Sequence, residues 1–273
     1  MKTAALGLAV PVLEPERLRG FDATLRDLGI EALVVASYGR ILPQAVLDAA
    51  PLGAFNVHPS LLPLYRGATP LQTAIRDGRA ETGVTVMLMD AGMDTGDVVL
   101  QERTPLGASE TYGELHDRLA KTGARMLLEA LRAAGDGGLV RHSQSTLGVP
   151  ETEIRATVTR PIAKADLLLN LYQPARDVAN VVRSLAPQPL ARVEANENLK
   201  VIAARALTTH EFARETTLQS EPPGAFGLSQ SGLGMLARTS DGAIVLERVI
   251  PAGRAEMAGD AYLRGRRAPV GTV

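Results

Sequence analysis

Hydrophobic residues in the first half of the chain fall in short runs that alternate with segments of helical character. Three runs rich in Val, Leu and Ala predict buried strands: Glu31–Tyr38, Gly53–His58 and Gly83–Asp90. The segments Pro43–Ala50 and Thr69–Gly78 lie between them, and each has a proline near its start, which the first turn of a helix tolerates. Strands that alternate with helices predict an α/β open sheet of the Rossmann-like kind.

A long helix is predicted within Ser109–Gly135. Thr111 and Glu114 form a capping-box pattern at its start, because a Thr side chain can accept from the third helical N–H while the Glu reaches back. Apolar residues at helical spacing form one buried stripe, made of Leu115, Leu119, Met126, Leu127 and Leu131. The glycine-rich segment Gly135–Gly138 ends the helix.

The pattern changes in the second half of the chain. Residues 141–160 are polar and irregular, and we interpret them as an interdomain linker between an α/β domain (1–140) and a second domain (161–273). After one predicted helix near Pro174–Leu185, short β-type runs follow at 190–195, 199–207, 234–240 and 243–250. Their spacing predicts a small β-barrel, OB-like, or a sandwich.

Composition narrows the class of protein. The 273 residues are 45% hydrophobic and 22% charged with a net charge of −1, as in ordinary globular proteins. Cys is absent, which excludes disulfides and thiolate nucleophiles and fits a reducing cytoplasm. Aromatic residues make up only 3%, which disfavours base-stacking platforms. No apolar run has the length of a membrane span, and the first residues predict no signal peptide.

Several common catalytic motifs are absent from the sequence. It contains no GxGxxG, no P-loop, no HExxH and no GxSxG. The absence of these motifs disfavours nucleotide-driven enzymes, zinc hydrolases and serine acyltransferases. The four histidines are too scattered to indicate a metal site, so no metal is expected.

Asn56 and His58 stand two positions apart at the end of the predicted strand Gly53–His58. Side chains on a strand share a face at every second residue, and open α/β sheets bind ligands at the carboxyl ends of strands. Asp94 follows the next predicted strand in a glycine-bounded loop, and we expect it at the same end of the sheet. An amide, an imidazole and a carboxylate together can stabilise an oxyanion and move a proton, which suits acyl transfer to an amine without a covalent enzyme intermediate.

Each of these residues also has an ordinary structural interpretation. A single His at a strand end more often satisfies local hydrogen bonds, and Asp94-Thr95-Gly96-Asp97 alone is typical of a turn. The prolines of Leu61–Gly67 could simply stiffen a chain reversal. The joint occurrence of all three features, in this order, favours the chemical interpretation.

Three segments resemble the 10-formyltetrahydrofolate-dependent formyltransferases: Ser37–Pro43 (SYGRILP), Asn56–Gln72 (NVHPSLLPLYRGATPLQ) and Glu81–Asp97 (ETGVTVMLMDAGMDTGD). Within that family, SLLPLYRGATPLQ and DAGMDTGD are most similar to the members that formylate the methionine of initiator tRNA. Weaker matches to their barrel domain are LKVIAA, PPGAF and AGRAEMAGDAYLRG. The resemblance covers nearly the whole chain.

This resemblance implies a function and a set of residues. The implied reaction moves a formyl group from 10-formyltetrahydrofolate, the co-substrate, to the α-amino group of methionyl initiator tRNA for translation initiation. It assigns catalysis to Asn56, His58 and Asp94, and it uses no metal. The folate is expected against Ser60, Leu61, Leu62 and Pro63, and against the backbone of Arg40, Ile41 and Leu42. The protein is expected to act as a cytoplasmic monomer without a membrane partner.

Other functions stay open at this point. A phosphoribosylglycinamide formyltransferase normally ends after one domain, whereas a sugar-amine formyltransferase or a formyl-folate hydrolase is harder to distinguish. A non-catalytic RNA-binding module is a different class, disfavoured because Asn56, His58 and Asp94 occur together and because basicity is weak. For RNA binding we expect contacts to phosphates from basic residues of the linker and second domain, namely Arg155, Arg160, Lys164, Arg254, Arg264, Arg266 and Arg267.

The resemblance also predicts which part of the family's catalytic domain the chain begins in. It assigns Leu6–Arg19 to the third strand of the family and the segment after it, with on the order of fifty residues upstream. The first strands of the catalytic domain would then be missing, and the strand within Ala32–Ser37 would form an unpaired apolar edge. We therefore expect the given start to be a Met within a longer reading frame.

Overall fold

The computed structural model describes residues 2–36, 38–39, 41–195 and 197–265. The helices in these residues are α1 (Lys2–Gly7), α2 (Phe21–Asp27), α3 (Gln44–Leu47), α4 (Pro70–Arg76), α5 (Tyr112–Gly135), α6 (Glu151–Ala156), α7 (Ala175–Leu185), α8 (Thr209–Phe212), α9 (Thr216–Gln219) and α10 (Gly259–Arg264), with 3₁₀ turns at Gln144–Thr146 and Lys164–Leu167. The strands are β1 (Leu33–Val35), β2 (Ala54–His58), β3 (Glu81–Leu88), β4 (Val98–Pro105), β5 (Ala191–Ala195), β6 (Glu197–Ala206), β7 (Phe226–Leu228), β8 (Met235–Arg238), β9 (Ala243–Ile250) and β10 (Met257–Ala258).

The first four strands form one sheet with the order β1-β2-β3-β4. β1 runs parallel to β2, with Val35 paired to Asn56, while β2 and β3 are antiparallel, with Asn56 paired to Met87. The α/β open sheet predicted from the alternating pattern is confirmed. β4 was not predicted, because Glu102 and Arg103 interrupt its apolar run; its later residues alternate between exposed and half-buried side chains.

The chain divides into two compact units. The first contains Met1–His58, Thr85–Gln101 and Gly123–Val149. In it, Leu25, Val46 and Ala49 pack together beneath α2 and α3. Phe55 of β2 is fully buried, so the strand before the candidate residues is anchored in apolar surroundings.

The start of the chain differs from what the resemblance implies. Within Leu6–Arg19 the residues from Val10 onward form no strand, and the residues before Leu8 belong to the short helix α1. The assignment of this segment to a strand is therefore wrong for the described chain: a strand needs a hydrogen-bonding neighbour, and none pairs with these residues. β1 stands at one end of the sheet order, and its Val34 is 48% exposed.

The second unit contains Pro59–Val84, Glu102–Thr122 and Pro150–Val273. Its main sheet has the order β5-β6-β9-β8-β7, with β10 added beside β9, and all of these pairs are antiparallel. Helix α7 places Val182 and Leu185 against a core that includes Leu199, Met235 and Leu246. The predicted helix and all four predicted β-type runs are confirmed. Closure of the sheet into a barrel stays a prediction, because the pairing order of the described residues is open.

None of the helices in the described part of the chain is both long enough and apolar enough to span a membrane.

Candidate active site

Strand β2 positions two of the three candidate catalytic side chains. It ends at His58, as predicted, and the two-residue period of a strand puts Asn56 and His58 on one face. His58 is 4% exposed, whereas Asn56 is half-buried. The half-buried side-chain amide of Asn56 carries two N–H groups that can be donated to a ligand.

Asp94 reaches His58 by a route that the sequence did not predict. We expected the two residues at one end of the sheet because each follows a strand, but β3 is antiparallel to β2 and its last residue, Leu88, pairs with Phe55. The carboxyl end of β3 therefore lies beside the start of β2, roughly 10 Å from His58 at 3.3 Å per residue. The loop Asp90–Asp97, named here the Asp94 loop, runs back over that distance.

The reversal brings the carboxylate to the imidazole. Asp94 Oδ2 lies 3.7 Å from His58 Nδ1, and the two side chains are 16% and 5% exposed. At this distance the carboxylate faces the Nδ1 side of the ring, so the other ring nitrogen, Nε2, is the one available to a ligand. An imidazole N–H beside an amide N–H provides two hydrogen-bond donors for an oxygen that gains negative charge.

Local backbone chemistry shapes the Asp94 loop. Asp94 has φ 54°, in the left-handed region that Asp adopts more readily than most residues. Asp90 Oδ1 accepts from the N–H of Gly92 at 3.0 Å and from the Thr95 hydroxyl at 2.7 Å. A Cβ on Gly96 would overlap the carbonyl oxygen of Leu88, so only glycine allows this close approach.

Gln144 holds the same loop from another segment, and the sequence analysis missed it. Its Nε2 donates to the carbonyl oxygens of Asp94 at 2.9 Å and Gly96 at 2.8 Å, and the residue is 4% exposed. Backbone bonds between Val98 and His142, each donating to the other at 2.9 Å, fix the segment that contains it. Gln144 lies within the polar stretch interpreted as a linker, where no periodicity distinguishes it.

The segment predicted to contact folate has a different character. Ser60, Leu62 and Pro63 are buried and Leu61 is half-buried, while the Ser60 hydroxyl donates to the carbonyl oxygen of Leu64 at 2.7 Å. The Leu62–Pro63 peptide bond is cis. These side chains belong to the loop Ser60–Thr69, named here the Tyr65 loop. Their main role is therefore to fix the conformation of that loop, and they present few polar groups to a ligand.

The Tyr65 loop is tied to the chain around Thr159. Thr159 donates its backbone N–H to Arg66 O at 2.7 Å, its hydroxyl donates to the same oxygen at 3.0 Å, and that hydroxyl accepts from Thr69 N–H at 3.0 Å. Gly67 and Thr159 form a parallel β-bridge, and a Cβ on Gly67 would overlap the Thr159 carbonyl oxygen. Residues at the end of the predicted linker thus build this loop.

Tyr65 adds a polar network inside the loop. It has φ 57° and is 5% exposed, its hydroxyl donates to Asp77 at 2.8 Å and it accepts from Arg79 at 2.6 Å. Burial, reinforced by the bond to Asp77, raises the pKa of Tyr65 to about 12. The phenol therefore stays neutral over the whole physiological range.

The second predicted folate segment is only partly described. Arg40 lies outside the described residues, Ile41 is 88% exposed, and Leu42 is half-buried against the cluster beneath α2 and α3. No group of three or more His, Asp or Glu side chains in the described residues could hold a metal ion.

Comparison with known proteins gives two family matches. The family described as formyl transferase matches residues 13–131, and the formyl transferase C-terminal domain matches residues 161–267. The methionyl-tRNA formyltransferase of Symbiobacterium thermophilum is 38% identical over 275 residues, covering 100% of this chain and 80% of its own length. That of Roseiflexus castenholzii is 40% identical over 270 residues, covering 98% and 81%.

Solved structures share the fold at low sequence identity. HypX from Aquifex aeolicus in complex with tetrahydrofolic acid has a TM-score of 0.64 and 17% identity, covering 89% of this chain and 40% of its own. WlaRD, a sugar 3N-formyl transferase, has a TM-score of 0.62 and 16% identity, covering 93% and 82%. Since the curated relatives match at 38–40% identity over nearly the whole chain, this chain belongs to the formyl transferase family, among the methionyl-tRNA formyltransferases.

Proposed function

We propose that Asn56, His58 and Asp94 form the catalytic centre with which this chain transfers a formyl group from 10-formyltetrahydrofolate to the α-amino group of methionyl initiator tRNA. The observation that supports this most directly is the approach of Asp94 Oδ2 to His58 Nδ1 at 3.7 Å, on the strand that also presents Asn56. This reaction supplies the formylated methionine for translation initiation, and we place it in the cytoplasm on a single copy of the chain.

The reaction proceeds by addition and elimination at the formyl carbon. The lone pair of the amine attacks that carbon, and the electrons of its C=O bond move to the oxygen. Asn56 Nδ2 and the protonated imidazole of His58 donate hydrogen bonds to this oxygen, each worth about 3–4 kcal/mol when well aimed. The oxygen then reforms the double bond, and the bond between the formyl carbon and N10 of the folate breaks.

Proton transfer completes the balance. The attacking nitrogen loses a proton as its new bond forms, and N10 gains one as it leaves, so the overall reaction consumes no base. Asp94 keeps His58 charged and accepts the proton of the amine, directly or through water, before the proton is returned to N10. No step requires ATP or a metal ion.

We assign folate contacts to the Tyr65 loop, at Ser60, Leu61, Leu62 and Pro63, and to the backbone of Arg40, Ile41 and Leu42. Because the Ser60 hydroxyl donates within its own loop, we assign the contacts of these four residues with the folate to their backbone groups and to the side chain of half-buried Leu61. We further propose that residues 1–140 form the catalytic domain and that residues 161–273 form the RNA-binding domain. Residues 141–160 connect the two domains.

RNA binding by the second domain relies on phosphate contacts. Of the basic residues predicted for it, three have carboxylate partners in the structure: Arg155 with Glu151, Arg160 with Asp166, and Arg264 with Asp260. Lys164 and Arg254 are exposed, and Arg266 and Arg267 lie outside the described residues.

A formyl-transfer assay tests the proposal. The purified chain is incubated with 10-formyltetrahydrofolate and initiator tRNA charged with methionine, and the formylated aminoacyl ester is measured beside tetrahydrofolate. We expect one formyl ester per tetrahydrofolate released. Release of formate and tetrahydrofolate without the ester, or formylation of a nucleotide-linked amino sugar in preference to the charged tRNA, would contradict the proposal.

A further inference from the structure

Thr85 places a hydroxyl group inside the sheet, directly beside His58. The two residues are paired across β3 and β2, and paired residues of antiparallel strands point to the same face with their Cβ atoms about 5 Å apart. Thr85 is 0% exposed and His58 is 4% exposed, so both side chains are buried together. The hydroxyl therefore lies next to the imidazole that the proposed reaction uses.

The neighbours of Thr85 along β3 are apolar. Val84 and Val86 are 1% and 0% exposed, and valine differs from threonine in shape only at the hydroxyl. A valine at position 85 would fill the same space without burying a polar group, which costs free energy unless hydrogen bonds satisfy it. The filling of space therefore does not account for a threonine at this position, and the hydroxyl needs a polar role.

Gln101 of β4 is one hydrogen-bond partner of that hydroxyl. Its Nε2 donates to Thr85 Oγ1 at 3.0 Å. Gln101 is an exposed residue on the strand next to β3, so His58, Thr85 and Gln101 form a row of polar side chains across β2, β3 and β4. Because the N–H₂ of Gln101 donates in this bond, the single proton of the Thr85 hydroxyl is donated to a different acceptor.

The other end of this row is the pair formed by His58 and Asp94. Asp94 Oδ2 lies 3.7 Å from His58 Nδ1, which is longer than an ordinary hydrogen bond. The protonated imidazole that the proposed reaction requires has no lone pair with which to accept a proton, whereas the carboxylate has several. Within the pair, the carboxylate is therefore the acceptor that suits a buried hydroxyl, reached directly or through one water molecule.

We propose that Thr85 is a positioning residue for the reaction: its hydroxyl, oriented by Gln101, donates to the Asp94 carboxylate and holds it beside the imidazole of His58. This inference rests on the proposed function for the reaction that the pair performs. Gln144 fixes the backbone of the Asp94 loop, whereas Thr85 fixes the carboxylate itself.

Thr85→Val tests the role of the hydroxyl by steady-state kinetics of formyl transfer. The variant keeps the shape of the side chain and should lower kcat roughly tenfold with little change in the KM of either substrate, because one hydrogen bond to a charged group is lost. Thr85→Ser retains the hydroxyl and should restore most of kcat. Wild-type kcat in Thr85→Val, or a Ser variant as impaired as the Val variant, would overturn the proposal.

Thr82→Val is the matched control for this substitution. Thr82 is also buried on β3, but it lies three positions from Thr85 and therefore on the opposite face of the sheet. We expect its variant to keep the wild-type kcat. A loss of kcat in Thr82→Val equal to that in Thr85→Val would show a general effect of removing a buried hydroxyl from β3, and the proposal would be wrong.

Gln101→Glu changes the orientation of the hydroxyl from an exposed position, where folding should not be affected. The substitution replaces the N–H₂ donor by a second oxygen, so the Thr85 hydroxyl donates to the new carboxylate and no longer to Asp94. We expect kcat to fall roughly five- to tenfold, and no further fall when Gln101→Glu is added to Thr85→Val. An equal fall in both backgrounds would come from the new charge alone and would overturn the role of Gln101.

NMR spectra of the imidazole rings separate this proposal from the proposed function, because they require no turnover. The chain has four histidines, and His58→Ala identifies the signal of His58. Thr85→Val should shift this signal in the wild-type chain and much less in an Asp94→Ala background, since Thr85 acts through that carboxylate. An equal shift in both backgrounds would mean that Thr85 only borders the ring, and the proposal would be wrong.

The two proposals can therefore fail separately. If no formyl transfer to charged tRNA occurs but the His58 signal depends on Thr85 through Asp94, the proposed reaction is wrong and the positioning role stands. If formyl transfer is normal but neither kcat nor the His58 signal responds to Thr85→Val, the reaction stands and the positioning role is wrong.

Discussion

The Asp94 loop and the Tyr65 loop share the same unusual backbone features but are stabilised by different interactions. Each contains a non-glycine residue in the left-handed region, Asp94 at φ 54° and Tyr65 at φ 57°, and each contains a glycine whose Cβ would overlap a carbonyl oxygen. In the Asp94 loop most residues are exposed, and hydrogen bonds from Asp90 and Gln144 hold it. The residues of the Tyr65 loop are buried or half-buried except Ala68, and the loop is held by hydrogen bonds with Thr159 and by those of the Tyr65 hydroxyl with Asp77 and Arg79.

The difference follows from what each loop must present. A carboxylate that exchanges protons has to stay accessible, so its loop cannot be stabilised by burying apolar side chains around it. A loop that offers shape and backbone groups to a ligand can be packed tightly beforehand, which lowers the entropy cost of binding. Substitutions in the first loop should therefore affect turnover, and substitutions in the second should affect stability and co-substrate affinity.

The largest effect is expected from the three catalytic residues. Replacing Asn56, His58 or Asp94 by Ala should lower kcat by about 10²–10⁴ while thermal unfolding stays cooperative. The losses should not add in double variants, because the residues act as one unit. Steady-state kinetics of formyl transfer measure this, and near-full turnover in any one variant would disprove its role.

Gly67→Ala should have the largest effect on stability. The substitution places a Cβ against the Thr159 carbonyl oxygen at φ +106°, and we expect a loss of about 2–4 kcal/mol in the free energy of unfolding. Urea unfolding measures it. Gly135→Ala is the control, because its Cβ would meet nothing within 4 Å and should cost almost nothing. Equal stability of the two variants would mean that the Tyr65 loop is not tightly constrained.

Gln144→Glu should separate turnover from folding in the Asp94 loop. The change keeps the size of the side chain but replaces the N–H₂ that donates to Asp94 and Gly96 with a second oxygen. We expect kcat to fall about tenfold with a loss of about 1–3 kcal/mol in stability. Gln173→Ala, at an exposed position, is the control. If kcat is unchanged while stability falls, Gln144 supports the fold only.

Thr159→Val should raise the KM for 10-formyltetrahydrofolate more than it changes kcat. Valine keeps the shape of threonine but removes the hydroxyl that bonds Arg66 O and Thr69 N–H, at a cost of about 1–2 kcal/mol in stability. Thr159→Ser retains the hydroxyl and should restore the KM. A Ser variant as impaired as the Val variant would show that the hydroxyl alone does not maintain the KM, because the methyl group of Thr159 is needed as well.

The smallest effect concerns alkaline pH. Folding raises the pKa of Tyr65 from 10.0 to about 12, so the neutral phenol stabilises the fold below pH 10 and this contribution is lost between pH 10 and 12. In the Tyr65→Phe variant, the free energy of unfolding should therefore fall less steeply between pH 10 and 12 than in the wild-type chain. The comparison uses the change from each protein's own value at neutral pH, because the variant starts from a lower stability. Tyr172→Phe, at an exposed tyrosine, should keep the wild-type profile in denaturant titrations at each pH.

Much of the fold follows from local patterns. Apolar runs and their spacing predict β2, β3, α4, α5 and α7 close to their observed bounds, because each has a strong period or clear end signals. β4 was missed because its exposed face contains charged residues. The β-bridge between Gly67 and Thr159 could not be predicted, since it joins residues about ninety positions apart without any repeated pattern.

The sequence by itself determined the chemistry available to this protein: an amide and an imidazole two residues apart on a strand, a carboxylate in a glycine-rich turn, and a second β-rich domain. Only the tertiary structure decided how they meet. Strand direction and register depend on hydrogen bonds between segments distant in sequence, which no local period encodes. The antiparallel pairing of β3 sends its end away from His58, and the reversal of the Asp94 loop, held by Gln144, returns the carboxylate to the imidazole.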